Sequence, residues 1–247
     1  GDSISTFALE AGTGSGVKYA GADCTTNYPG NAVRYPYDNV LSVDQTWWKQ
    51  VLDYFGWELG INESYAGTTI TWDGTTETYN RGANKCISSA TRVGHLGENG
   101  TPDIILVYGG TNDINHNTED NIPVGTLSTQ NIETFEDITF SPGTYYDAVF
   151  ALLLRIQHSY PNALVVCLLP YFVTSKSTYD STPIDVKTHN DAMKDVCEYL
   201  GVYYIDLRKT VNVYDRNLLN SSDILHPNAA GMAMIAKTVI HELQKIV

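Results

Sequence analysis

The chain has 247 residues, 43% of them hydrophobic and 17% charged, enough apolar material for a substantial core and too little charge for a disordered chain. Its formal net charge of −13 repels phosphate backbones and anionic lipid, which argues against nucleic acid and against a membrane surface as partners. No apolar run reaches the roughly 18 residues that span a bilayer.

In chain order, Gly1-Asp2-Ser3-Ile4 reads as a tight turn. Ser42–Phe55 reads as a helix that Ser42 or Asp44 can cap, with Val43, Trp47, Val51 and Tyr54 or Phe55 on one face. Trp47 and Trp48 are adjacent, so at most one of them is expected to face the core. Trp57–Ile61 is a short strand candidate and Asn84–Leu96 a more polar helix. Asp103–Tyr108 is a continuous β-branched run closed by Gly109-Gly110, which fits a buried parallel strand. From Asn115 to about Pro142 no period is visible, and a long loop or insertion is expected. Tyr145–Tyr160 carries Val149, Leu152, Leu153 and Ile156 on one helical stripe and is punctuated by Pro161-Asn162. Ala163–Leu169 is the next buried strand, with Cys167 as a small buried hydrophobe. Ile184–Leu200 reads as a helix and Val202–Ile205 as a strand. Pro227 opens a final helix running to about Leu243.

Strands alternating with amphipathic helices argue for a parallel sheet covered on both faces, with ligands bound at the carboxyl ends of its strands. Gly67 and Asn112 follow strands in this reading, and Asp223 and His226 precede the last helix. A nucleophile turn is expected to follow a central strand. For Ser3 that strand would lie upstream of residue 1, so the sequence reads as trimmed there.

Three residue types carry the chemistry. A serine hydroxyl is a weak nucleophile at neutral pH; it needs a base to accept its proton and a carboxylate to hold that base in the right tautomer. Ser3, Asp223 and His226 supply these parts, in that chain order. In Gly109-Gly110-Thr111-Asn112-Asp113 the glycines permit a sharp turn off the strand end, and the Asn112 amide there can donate to a developing oxyanion. Gly67 and Ser3 can each add a backbone N–H. Asp2 and Asp113 read as structural carboxylates bonded to nearby backbone N–H groups.

Read in order, four patches resemble the SGNH (GDSL-type) hydrolase family: Gly1-Asp2-Ser3, Gly67, Gly110-Thr111-Asn112-Asp113, and Asp223-Ile224-Leu225-His226-Pro227. They span nearly the whole chain. The resemblance implies a flavodoxin-like three-layer α/β/α sandwich with a central parallel sheet of about five strands, formed by residues 1–247 as a single domain. It implies ester hydrolysis without a metal or other cofactor. Ser3 would be the nucleophile, His226 the base, Asp223 its orienting carboxylate, and Ser3, Gly67 and Asn112 the oxyanion hole. A G-x-S-x-G elbow is absent, since position 5 is Ser, which argues against the α/β-hydrolase lipase fold. Gly1–Phe7, Val43–Trp48 and Pro227–Met232 look like the secreted bacterial carbohydrate-esterase branch. This implies removal of short acyl groups, chiefly O-acetyl, from a small-molecule or polysaccharide ester. A lipase, lysophospholipase or thioesterase of the same fold is the alternative, although Asn115–Pro142 is too polar for an apolar lid. A non-catalytic carbohydrate-binding relative is a third reading.

The remaining candidates read as structural. His95, His116, His158, His189 and His241 lack ligand spacing. Asp113–Glu119 alternates oxygen ligands like a calcium loop, but has Thr118 where glycine is needed and no closing glutamate. Tyr171 and Phe172 follow a strand end and read equally as pocket-lining residues or as part of the core edge. The four cysteines form no CxxC pair, and Cys24 and Cys86 would pair only in an exported protein. The 15 lysines and arginines against 17 tyrosines lean toward a secreted or cell-surface location.

Overall fold

A computed structural model describes residues 1–7, 35–36, 39–72, 85–116, 123–127, 143–171, 183–209, 216–219 and 225–247. Three strands, β1 (Ile104–Tyr108), β2 (Leu164–Leu169) and β3 (Tyr203–Asp206), pair in parallel in the order β1-β2-β3. Ile104 registers with Leu164, and Val166 with Tyr203. Among the described residues six α-helices accompany them: α1 (Trp47–Phe55), α2 (Ala90–His95), α3 (Thr111–His116), α4 (Tyr145–Ser159), α5 (Pro183–Leu200) and α6 (Ala229–Leu243).

Alternation along the strands builds two cores, because successive side chains point to opposite faces of a sheet. Val166, Leu168 and Ile205 join Trp47, Val51, Met232, Ile235 and Val239 on the α1/α6 face. Val165, Cys167 and Leu169 join Val149, Leu152, Met193 and Val196 on the α4/α5 face. The chain is therefore an α/β sandwich with helices on both sides of a parallel sheet. Helices α4 and α5 carry the two crossovers between strands on one face, and α6 returns on the other.

Several expectations are corrected. Three strands stand among the described residues, rather than about five. Trp57–Ile61 is not a strand: a strand exists only through its ladder, and no described segment pairs with residues 57–61. Just beyond it, Tyr65 N donates to the Gly1 carbonyl at 3.1 Å. The helix expected from Ser42 begins instead at Trp47. Residues Val43–Gln45 form a separate 3-10 turn, and extended Thr46 caps α1 by accepting from Lys49 N. Both tryptophans are buried, because the apolar stripe at the start of α1 is wide enough for neighbours about 100° apart. Trp47 Nε1 donates to Ser5 Oγ at 3.2 Å. The polar helix contracts to α2, capped by Ser89. Pro227 precedes the last helix; Asn228 is its cap and accepts from Gly231 N. Cys86 is a free, buried thiol and Cys24 lies outside the described residues. Among the described residues no helix is long and apolar enough to cross a membrane.

Candidate active site

The Gly-Asp-Ser segment forms a single 3-10 turn, Ser3–Ser5, capped by Asp2, whose Oδ1 accepts from Ile4 N at 3.0 Å. The turn closes through Thr6, whose N and Oγ1 both donate to the Ser3 carbonyl, at 3.2 and 2.8 Å. Ile4 is anchored in the α1/α6 core, so the turn cannot rotate without exposing it. Gly1 is wedged beside Ser64 and the end of β1: a Cβ there would lie 2.7 Å from Ser64 Oγ and 3.1 Å from the Tyr108 carbonyl. Burial pushes the Asp2 carboxyl above the usual carboxylate range, against the Ile4 N–H, which pulls it down.

His226, 223 residues away in sequence, brings Nε2 to 2.8 Å from Ser3 Oγ. Two phenols bracket it. Tyr35 Oη donates to the Pro227 carbonyl at 2.7 Å, and Tyr171 Oη donates to the Leu225 carbonyl. The Tyr35 ring also meets the imidazole edge-on, with centroids 6.4 Å apart. Pro227 bridges Leu219, and Asn39 Oδ1 accepts from Ala229 N. Tyr171, read from the sequence as either a pocket-lining residue or part of the core edge, is buried in the α1/α6 core. Asp223 and Phe172 lie outside the described residues.

Asn112 sits in the first turn of α3, just beyond β1. Gly110 turns the chain there at φ 104°, packed so closely that a Cβ would lie 2.6 Å from Tyr145 Oη. Asn112 Nδ2 donates to the Thr68 carbonyl at 2.8 Å. An amide nitrogen carries two hydrogens, so this bond holds the side chain while leaving a second N–H. Gly67, at φ 76°, precedes Thr68 in the same turn. Asp113 fixes the following residues, accepting from Ile70 N at 2.8 Å, Thr71 N at 3.0 Å and Thr71 Oγ1 at 2.6 Å. Asp2 and Asp113 thus bond backbone N–H groups, as expected of structural carboxylates.

Ser3, Asn112 and His226 are each more than nine-tenths buried, which favours strong polar contacts. Sequence reasoning singled out Ser3, Gly67, Asn112 and His226. It missed Tyr35, Thr68 and Arg92. Each of these acts through a long-range bond, and no local pattern marks it.

A serine hydroxyl against an imidazole, beside the carboxyl end of a helix-covered parallel sheet, is the arrangement of an α/β ester hydrolase. The chain belongs to the GDSL-like lipase/acylhydrolase family, which it matches over residues 1–243. Solved structures share its fold. One is described as a GDSL-like lipase from Bacteroides ovatus ATCC 8483 (22% identity, TM-score 0.66, covering 99% of this chain and 95% of that one). A second, from Bacteroides uniformis ATCC 8492, is 24% identical with TM-score 0.64 and coverage of 99% and 93%. Est24, a carbohydrate acetylesterase from Sinorhizobium meliloti, is 13% identical with TM-score 0.61 and coverage of 100% and 96%. A sequence search of curated proteins finds no match.

Proposed function

We propose that the protein is a serine esterase that removes short acyl groups, chiefly O-acetyl, from carbohydrate. The observation that carries this reading is the 2.8 Å contact between Ser3 Oγ and His226 Nε2. With Nε2 unprotonated, the hydroxyl donates to it, and the ring takes the proton as Oγ attacks the acyl carbon. The carbonyl oxygen becomes an oxyanion. The N–H groups of Ser3 and Gly67 and the second N–H of Asn112 Nδ2 are its proposed donors, each worth about 2.7–4 kcal/mol in comparable sites. The protonated His226 then gives its proton to the departing sugar oxygen, leaving an acetyl ester on Ser3. Water, deprotonated by His226, resolves that ester, releases acetate and restores the hydroxyl. Asp223 is the proposed carboxylate that orients His226.

The carbohydrate assignment rests on the resemblance of Gly1–Phe7, Val43–Trp48 and Pro227–Met232 to carbohydrate esterases, and on the carbohydrate acetylesterase Est24 sharing the fold. The test is an ester panel (acetylated xylan, acetylated mannan, cephalosporin C, and p-nitrophenyl acetate against octanoate) run beside Ser3→Ala. Acetate release is expected to fall by at least about a thousandfold in the variant, and octanoate to be a poor substrate. Equal turnover of octanoate would replace this reading with a lipase. Undiminished release by Ser3→Ala would remove the nucleophile assignment.

A further inference from the structure

Arg92 lies on α2, outside every motif that carries the chemistry, yet its side chain is 97% buried behind the candidate site, with a relative exposure of 3%. Nη1 donates to Thr68 Oγ1 at 2.8 Å and to the Lys85 carbonyl at 2.9 Å. Nη2 donates to the Gly1 carbonyl at 3.1 Å and to the Glu63 carbonyl. Nε faces Glu63 Oε2 at 3.6 Å, and the guanidinium lies 4.5 Å from the centroid of the Tyr65 ring. Glu63 is held in turn by His95 Nδ1 at 2.9 Å.

This placement is specific in what it joins. The Gly1 carbonyl belongs to the peptide that enters the Ser3 turn. Thr68 follows Gly67, and its carbonyl is the acceptor that holds Asn112 Nδ2. The three proposed oxyanion donors therefore come from three chain segments. One guanidinium binds two of those segments directly and reaches the third through Thr68. A planar fork with five N–H donors can bridge these acceptors at once; an ammonium cannot match that geometry. Oxyanion donors act through preorganisation, so small displacements of their supports are felt in the transition state more than in the ground state.

We propose that Arg92 is a positioning residue for the acyl-oxygen site, fixing the spacing between the Ser3 turn, Gly67 and Asn112 through its shared contacts with the Gly1 carbonyl and Thr68. It touches no reacting atom. The inference rests on the esterase reading above.

The test pairs Arg92→Lys, which keeps the charge and loses the fork, with Thr68→Val, which keeps shape and loses the hydroxyl that accepts from Arg92 Nη1 and donates to the Lys85 carbonyl. Each is made alone and in an Asn112→Ala background, with p-nitrophenyl acetate as substrate. On its own, each folded variant is expected to lower kcat roughly tenfold with KM within about twofold, as loss of transition-state-only binding does. In the Asn112→Ala background the same substitution is expected to cost less than about threefold, because coupled groups are not additive. Wild-type kcat in Thr68→Val and in folded Arg92→Lys overturns the proposal. So does an equal fold-loss with and without Asn112. If Arg92→Lys does not fold, Thr68→Val decides by the same criteria. An active wild type with unaffected variants removes only this inference, whereas a wild type that turns over no ester removes the esterase reading and this proposal together.

Discussion

The two sides of the candidate site are held by different chemistry. Where the acyl oxygen would sit, the supports are multivalent and carry charged side chains: Asp113 gathers three donors from Ile70 and Thr71, and Arg92 reaches four acceptors on three segments. Around His226 two neutral phenols each give a single bond, Tyr35 to the Pro227 carbonyl and Tyr171 to the Leu225 carbonyl. A multivalent support, once lost, strands several buried groups, whereas loss of a phenol hydroxyl strands one carbonyl. Stranding is what costs most, since an unsatisfied buried group forfeits about 1–3 kcal/mol. The oxygen side is therefore expected to fail in steps and the base side to soften gradually.

Asp113→Ala breaks the stronger side most severely. It orphans two backbone N–H groups and a hydroxyl, and is expected to cost at least about 3 kcal/mol of stability in urea unfolding. Asp113→Asn, whose amide oxygen still accepts, is expected to cost less. Gly110→Ala attacks the same side through the backbone. At φ 104°, with Tyr145 Oη in the way, about 1–3 kcal/mol of strain is expected. It should appear as a lower melting temperature together with lower kcat, because Asn112 follows two residues later.

On the base side, Tyr35→Phe and Tyr171→Phe are each expected to cost about 1 kcal/mol. Their kcat should fall only a few-fold, and the double variant should lose about the sum if the two phenols act independently. A single phenol variant as damaging as Asp113→Ala would erase the contrast between the sides.

The smallest effect sharpens the comparison outside the site. Asp206 ends β3, and burial by itself would raise its carboxyl. The hydrogen bonds and charge of Arg208 outweigh burial and hold it below the ordinary value. A depressed carboxylate contributes stability above its unfolded pKa, about 3.9, and loses it as pH falls through the folded value. The stability gap between wild type and Arg208→Met is thus expected to be full at pH 6 and to shrink below about pH 4, followed by urea midpoints.

Much of the fold was legible locally. The β-branched runs that became β1, β2 and β3 and the striped segments that became α4 and α5 lie within a residue or two of where pattern placed them. The failures have physical causes. Trp57–Ile61 has strand-like residues and no ladder partner among the described residues. The 42–55 helix splits at Thr46 because its hydroxyl caps a new start. Trp48 is buried because the apolar stripe at the start of α1 takes in both neighbours, where their adjacency had suggested only one.

By itself the sequence determined the succession of elements and the order in which a serine, a glycine, an asparagine and a histidine punctuate their ends, because periodicity and turn chemistry act over a few residues. Only the tertiary structure decided that residue 3 meets residue 226, that Tyr171 bonds the Leu225 carbonyl, and that Arg92 sits behind the oxygen side. Those are bonds between segments brought together by packing on the two faces of the sheet, and bonds across 24, 54 and 223 residues leave no trace in the neighbours of either partner.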